Sequence, residues 1–408
     1  MSPSRRAVLG GAAVCGLQAT AALAAKPAVL TFAAIFPFSG ASALLGDESF
    51  RGLALATDAL NGSGGLLKRK VALIREDARD PKRATAAAKA VTAKAVAIFG
   101  TATTSAALAA SAVAGLANVP YFELTAIGDP LTARGLKYLF RSCPDVDSFA
   151  ECSLAALTGV VAPAMRRPAG ALRLGILDVA SGPSQAIAAA QAAACKKLKL
   201  DLVQTLAYPA NSLNFGPLVR ALRGARIDVL LHAAHPNDVV LLFRAMQQAG
   251  WRPRAVIGCG AAYGLADTRQ AVGTTFDGTF AVDFPPYATD PKVARGAASL
   301  ESAYRTRYGS APRSGLSLAA YAGAGFFFAA IASAGSTDRD KIRKALLAMN
   351  VPCGAGANGW GAAFHSNGQN TRARPVALQW QKGRAVTVYP SPAALSHAAI
   401  QPAAEFHG

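Results

Sequence analysis

Acidic side chains are in short supply. Aspartate and glutamate number 23 against 42 lysines and arginines, which leaves a formal net charge of +19. That excess does not make a nucleic-acid binder, because the bases are scattered singly along both halves instead of gathering with aromatics on one face. It reads as a basic solvated surface whose field also attracts anionic ligands or acidic partners. Charged residues are only 16% of the chain and apolar ones 52%, a balance that excludes disorder. Five histidines and no C-x-x-C pair leave nothing with metal-ligand spacing. His232, His235 and Asp238 come nearest, but His232 should end a strand and Pro236 start a helix, so the three side chains diverge. There is no G-x-S-x-G elbow, and the glycines at 40 and 46 run on into Asp47 and Glu48 instead of the Lys-Ser/Thr of a phosphate loop. No catalytic constellation and no cofactor motif is left, so an enzyme is not the expectation.

What is present fits an exported protein of two domains. A length of 408 residues allows two cores of ordinary size. Ser4, Arg5 and Arg6, an apolar small-residue segment, and Ala22-Leu23-Ala24 make residues 1–24 a twin-arginine-type signal for export to a periplasm. Cys15 is filler in the apolar core of that signal. Five cysteines follow, Cys143, Cys152, Cys195, Cys259 and Cys353, an odd number that leaves at least one unpaired in a monomer. Cys143 and Cys152 can bridge if a strand end meets the first turns of a helix. Residues 315–336 are uncharged and as long as a membrane span, but they are rich in Gly, Ser and Ala and read as a buried helix.

Short apolar strands alternate with amphipathic helices, which specifies an α/β layer with right-handed crossovers. Residues 30–35 are almost wholly apolar, as in a central parallel strand covered on both faces. Residues 39–81 read as loop, helix, Gly-rich turn, strand and the start of a second helix. Asp47 is placed to cap the first helix and Asp80 the second, with Pro81 at its first position, while Asp77 belongs to the turn. Strands are expected near 96–99, 119–124, 172–177, 202–207, 229–232, 255–257, 278–282, 376–380 and 385–389. The pattern restarts at 172, which marks a second lobe of the same architecture.

The stretch SGxxxxxGxxxxRGLxLAxDxxNxxGG, followed by a strand and a D-x-x-DP turn, resembles the N-terminus of branched-chain amino-acid-type (Leu/Ile/Val-type) periplasmic solute-binding proteins of ABC transporters. TARG at 132–135 and KYLFRS at 137–142 extend the likeness. The resemblance implies a type I periplasmic binding protein fold: two Rossmann-like lobes with mostly parallel sheets joined by a three-crossing hinge. It assigns 26–141 and 285–352 to an N-terminal lobe, and 142–284 and 353–408 to a C-terminal lobe. It also implies a small-molecule ligand, an inner-membrane ABC permease as partner, and only peripheral contact with the membrane complex. The disulfide usual in the family is absent, since its positions fall on Arg79 and Thr103. The same fold also serves ligand sensing, so a periplasmic sensor with a separate signalling partner is the alternative.

In open parallel sheets ligands lie beyond the carboxyl ends of the strands. On the first lobe that selects Phe38, Ser39 and Leu45, then Thr103 and Thr104, then Thr125 and Ile127. On the second it selects Ser181, His235, Gly260 and Tyr263. Hydroxyls and free helix N–H groups at 100–105 suit a carboxylate or another polar oxygen, while helix capping is the bland reading of Thr104. The resemblance places Ile127 where an amino-acid clamp has threonine, Gly260 where the ammonium-binding acid stands, and Leu45 where an aromatic residue covers the ligand. An ammonium group enclosed without an opposite charge loses several kcal/mol. The expected cargo is therefore a larger apolar or carboxylate-bearing compound and not an ordinary branched-chain amino acid.

Overall fold

The computed structural model describes residues 29–180 and 182–400. The signal-peptide assignment, the role given to Cys15, the Ser181 contact and the last eight residues of the C-terminal lobe lie outside the described residues.

Five parallel strands form the first sheet: β1 (Leu30–Phe36), β2 (Val71–Asp77), β3 (Ile98–Gly100), β4 (Tyr121–Glu123) and β5 (Leu139–Arg141), in the order β2-β1-β3-β4-β5. Strand β1 is apolar apart from Thr31 because both its faces are covered. Ala33 and Ile35 join the core under the helices Pro81–Val91 and Thr104–Leu116, while Phe32, Ala34 and Phe36 join the core on the opposite face. The second sheet holds β6 (Arg173–Val179), β7 (Asp201–Tyr208), β8 (Val229–Ala233), β9 (Ala255–Cys259), β10 (Phe280–Asp283), β11 (Val376–Gln381) and β12 (Arg384–Tyr389). Its order is β12-β11-β10-β9-β8-β6-β7, and only β11 and β12 run antiparallel to their neighbours.

The chain passes between the sheets three times. After β5 it enters the second sheet, and after β10 it returns as the helices Ala297–Tyr308, Gly315–Ala334 and Arg339–Leu347. The first two of these pack on helix Ala43–Gly62 of the first sheet and the third packs on the second; the chain then crosses once more to β11. The apolar helix Gly315–Ala334 is a core element, with 78% of its most apolar window buried. Phe327 stacks on Phe122 of β4 at 4.3 Å. Gly52 sets its approach to helix Ala43–Gly62, since a β-carbon there would stand 2.0 Å from the Ser317 carbonyl. Beside that contact Glu48 is fully buried, accepting hydrogen bonds from Tyr304 (2.7 Å), Ser317 (2.5 Å) and the Arg313 backbone (3.1 Å).

Two sequence expectations are corrected here. Helix Ala43–Gly62 begins a turn earlier than Asp47, because Gly40 in the left-handed region lets the chain turn in over residues 40–43. Asp47 is thus inside the helix, where it pairs with Arg51 at 2.9 Å and Arg313 at 3.4 Å. Cys143 and Cys152 are both free and buried. The helix Val146–Ala156 turns Cys152 toward the Pro375 carbonyl, while Cys143 faces the Ala126 carbonyl across the first crossing, so the two thiols have different neighbours. Asp80 caps helix Pro81–Val91 as expected, accepting from Arg83 N at 2.8 Å.

Candidate functional site

The loops beyond β1, β3 and β4 lie side by side, as the strand order requires. Asp77, at the end of β2, gathers the first of them: one carboxylate oxygen accepts the backbone N–H of Phe38 (2.8 Å) and Ser39 (3.3 Å), the other the Ser39 hydroxyl (2.6 Å). The Phe38 ring has the Arg75 guanidinium 3.7 Å from its centre and Phe50 at 5.3 Å. Ser39 and Phe38 therefore hold the loop in place, with the atoms that would read a ligand already engaged. Leu45 is half-buried against the core, and its carbonyl accepts from Ser49 Oγ (2.8 Å), which in turn meets Thr125 Oγ1 (3.1 Å).

At the centre of this rim is a residue that the sequence reading passed over. Glu123, the last residue of β4, is fully buried. Its carboxylate accepts the backbone N–H groups of Thr101 (2.7 Å), Thr125 (3.1 Å) and Ala126 (2.9 Å), and the Tyr121 hydroxyl (3.1 Å). Burial pushes its carboxyl up to about 7, against the hydrogen bonds from Ala126, Thr125 and Thr101 that act to lower it. The only signal was a glutamate directly after the apolar Tyr121-Phe122 pair of a central strand.

Arg141, the last residue of β5, was missed in the same way. Its guanidinium is buried, donating to the Gly128 carbonyl (2.8 Å) and Gln369 Oε1 (2.6 Å), with Asp129 at 3.6 Å. Gly128 also donates its N–H to Thr104 Oγ1 at 3.1 Å. The loop is thus gripped from one side by the helix start and from the other by a buried arginine tied to the third crossing. Thr104 is half-buried, like Thr103, which makes no side-chain cap bond, and Ile127 is half-buried against the core.

On the second sheet, Tyr263 is not where the sequence reading put it. The helix Ala261–Gly264 turns its ring inward onto Phe276, and its hydroxyl lies 2.5 Å from His232 Nδ1 in the core. His232 also meets the Tyr208 hydroxyl at 3.0 Å. Burial pushes the His232 imidazole down to about 3, so it is neutral near pH 7 and one ring nitrogen donates while the other accepts. His235 is exposed at the start of helix Pro236–Gln248, its backbone N–H on Asp238 Oδ2 at 3.1 Å and its ring 3.3 Å from the same oxygen. Gly260 is half-exposed in the left-handed region, with open space where a side chain would stand.

A second buried acid closes the end of β10. Asp283 accepts the Phe284 N–H (2.8 Å) through one oxygen, and the other packs against Gly264, where a β-carbon would come within 2.0 Å. Burial pushes its carboxyl up to about 7. One cavity of about 270 Å3 borders Gly264 at the end of the helix that follows β9, and another of about 500 Å3 lies elsewhere. The first is lined by Tyr287, Arg305 and Arg313 beside the second crossing, the other by Val160, Tyr389 and Leu395. Among the described residues no group of three or more His, Cys, Asp or Glu side chains is arranged to hold a metal.

The arrangement is one of two strand-end rims with few free polar groups, and its likeness to known proteins is extensive. A family model described as periplasmic binding protein matches residues 29–384. The Leu/Ile/Val-binding protein homolog 8 of Brucella suis is 38% identical over 394 residues, covering 96% of this chain and 98% of the relative. Among solved structures, the isoleucine complex of the branched-chain amino acid transporter substrate-binding protein LivJ from Streptococcus pneumoniae aligns with a TM-score of 0.76 at 21% identity, over 89% of this chain and all of that one. A Rhodopseudomonas palustris ABC-transporter solute-binding protein in complex with benzoate aligns with a TM-score of 0.74 at 16% identity, over 91% and 99%. At those identities the structures speak for the fold, and the two mostly parallel sheets with three crossings are that fold. The sequence match extends over nearly the whole length, and the chain belongs to the periplasmic binding protein family.

Proposed function

We propose that the protein captures a small, largely apolar organic ligand between its two lobes and delivers it to an inner-membrane ABC permease, without chemistry of its own. The lobes divide as 26–141 with 285–352 and 142–284 with 353–408, and closure is a rotation about the three crossings. Export by the twin-arginine signal in residues 1–24 would place it in the periplasm. The observation that carries this reading is the make-up of the rim: the half-buried side chains of the first lobe include the apolar Leu45 and Ile127, and Gly260 stands open on the second. An α-amino acid would find no acid at Gly260 for its ammonium group and would lose several kcal/mol on enclosure. Mass spectrometry of molecules released by denaturing protein taken from its native periplasm should recover an organic compound with a sizeable apolar part. Calorimetric titration should show leucine binding weaker than micromolar. Micromolar leucine binding would overturn the reading, as would small-angle scattering that shows no compaction with the recovered compound at saturation.

A further inference from the structure

The six loops at the strand ends, residues 37–45, 100–105, 125–129, 178–183, 234–237 and 260–263, contain no lysine or arginine. In a chain carrying 42 such residues, that is a local exclusion. Carboxylates, by contrast, stand at the ends of two strands beneath these loops, Glu123 of β4 and Asp178 of β6 at its next-to-last position, and of two further strands, Asp77 of β2 and Asp283 of β10, while Arg141 ends β5 and Arg79 follows β2. Glu123 matters most, because it takes the backbone N–H groups of Thr101, Thr125 and Ala126 that an incoming anion would otherwise seek. The Arg141 guanidinium keeps its charge, but its hydrogen bonds are made within the protein, to the Gly128 carbonyl and Gln369 Oε1, with Asp129 at 3.6 Å. An anion entering between the loops would meet an internal carboxylate that already holds the backbone donors, in a site from which closure removes water.

From this cradle, already filled by the protein's own carboxylate, we infer that the cleft selects against carboxylates and takes an uncharged or cationic ligand that presents hydrogen-bond donors to the first lobe. The inference rests on the binding-protein reading above and names the charge class of its cargo. The hydroxyl oxygens of Thr104 and Thr103 offer acceptors to such donors, while Leu45 and Ile127 take the apolar part. The titratable groups that feel Glu123 are Tyr121 on its own strand and Cys143 at the first crossing, and the Arg134 and Arg141 guanidiniums, charged throughout, act on those two in turn. Burial raises Tyr121 and Cys143 well above the neutral range, so neither changes charge near pH 7 and Glu123 dominates the response there.

Benzoate, benzamide and benzamidine share one shape and differ in charge, and calorimetric titration of the purified protein with each at pH 8 separates the classes. Benzamide or benzamidine should bind at least tenfold more tightly than benzoate. Glu123→Gln should shrink that ratio to within about threefold, and so should moving the unaltered protein to pH 5.5, which controls for any folding defect in the variant. Equal or tighter binding of benzoate at pH 8 would overturn the inference, as would a ratio unmoved by both the substitution and the pH, or silence of the amide and the amidine at 10 mM. The native cargo separates this inference from the reading beneath it: a recovered carboxylate sinks the charge rule alone, while failure to compact around any recovered compound sinks the binding-protein reading.

Discussion

Glu123 and Asp283 are two buried carboxylates in the same kind of place, the carboxyl end of a parallel strand, with opposite surroundings. Glu123 accepts three backbone N–H groups that have no other acceptor, along with the Tyr121 hydroxyl. Asp283 accepts one backbone N–H and otherwise packs on Gly264. Burial raises the pKa of both to about 7, yet only the first acid holds a structure together. A buried charge is tolerated at similar electrostatic cost in either place, and what differs is how many backbone donors would be orphaned by its removal.

The comparison predicts effects of opposite sign. Glu123→Ala should destabilise most, by about 4 kcal/mol, because Thr101, Thr125 and Ala126 would each keep a buried, unpaired N–H. Chemical denaturation measures this, and a loss below about 1 kcal/mol would break the contrast. Arg141→Met should cost about 3 kcal/mol, since it strands the Gly128 carbonyl and Gln369, and hydrogen exchange should rise at Gly128 and at Asn370.

Asp283→Asn should do the reverse and stabilise by about 2 kcal/mol at pH 8. The sign follows from a carboxyl raised from 3.8 to about 7: its contribution is present below about pH 4 and is lost as pH rises through 7. The gain should therefore shrink as pH falls through 7 and vanish only below about pH 4, where the unfolded acid is protonated as well; a pH-independent gain would point to packing instead. The smallest effect should come from His235→Ala, under about 0.5 kcal/mol in the same denaturation assay, because its ring is exposed and the Asp238 bond to its backbone survives.

Local features were legible where cause and effect sit within a few residues. Asp80 with Pro81 announced its helix and the cap is there. The uncharged run at 315–336 reads as a core helix and is one, because Gly, Ala and Ser suit close packing. Features that depend on helical phase were misread. Asp47 was one turn too late to be a cap, the thiols of Cys143 and Cys152 point to different neighbours, and Tyr263 rotates into the core to meet His232. Ser39 was rightly placed at a strand end, but its partner Asp77 lies 38 residues away.

The sequence by itself determined the class of the molecule: a two-lobe α/β binding protein, read from apolar strand runs, helix stops and the spacing of one N-terminal motif. Tertiary structure decided which polar atoms at the strand ends remain free. Glu123 reaches back 22 residues to Thr101, Arg141 reaches 228 residues on to Gln369, and Glu48 meets Tyr304 across 256. Periodicity records whether a side chain faces the core or the solvent. It carries no record of distant partners, and in a low-dielectric interior it is the partner that sets whether a buried polar group stabilises the fold, stays neutral, or turns a ligand away.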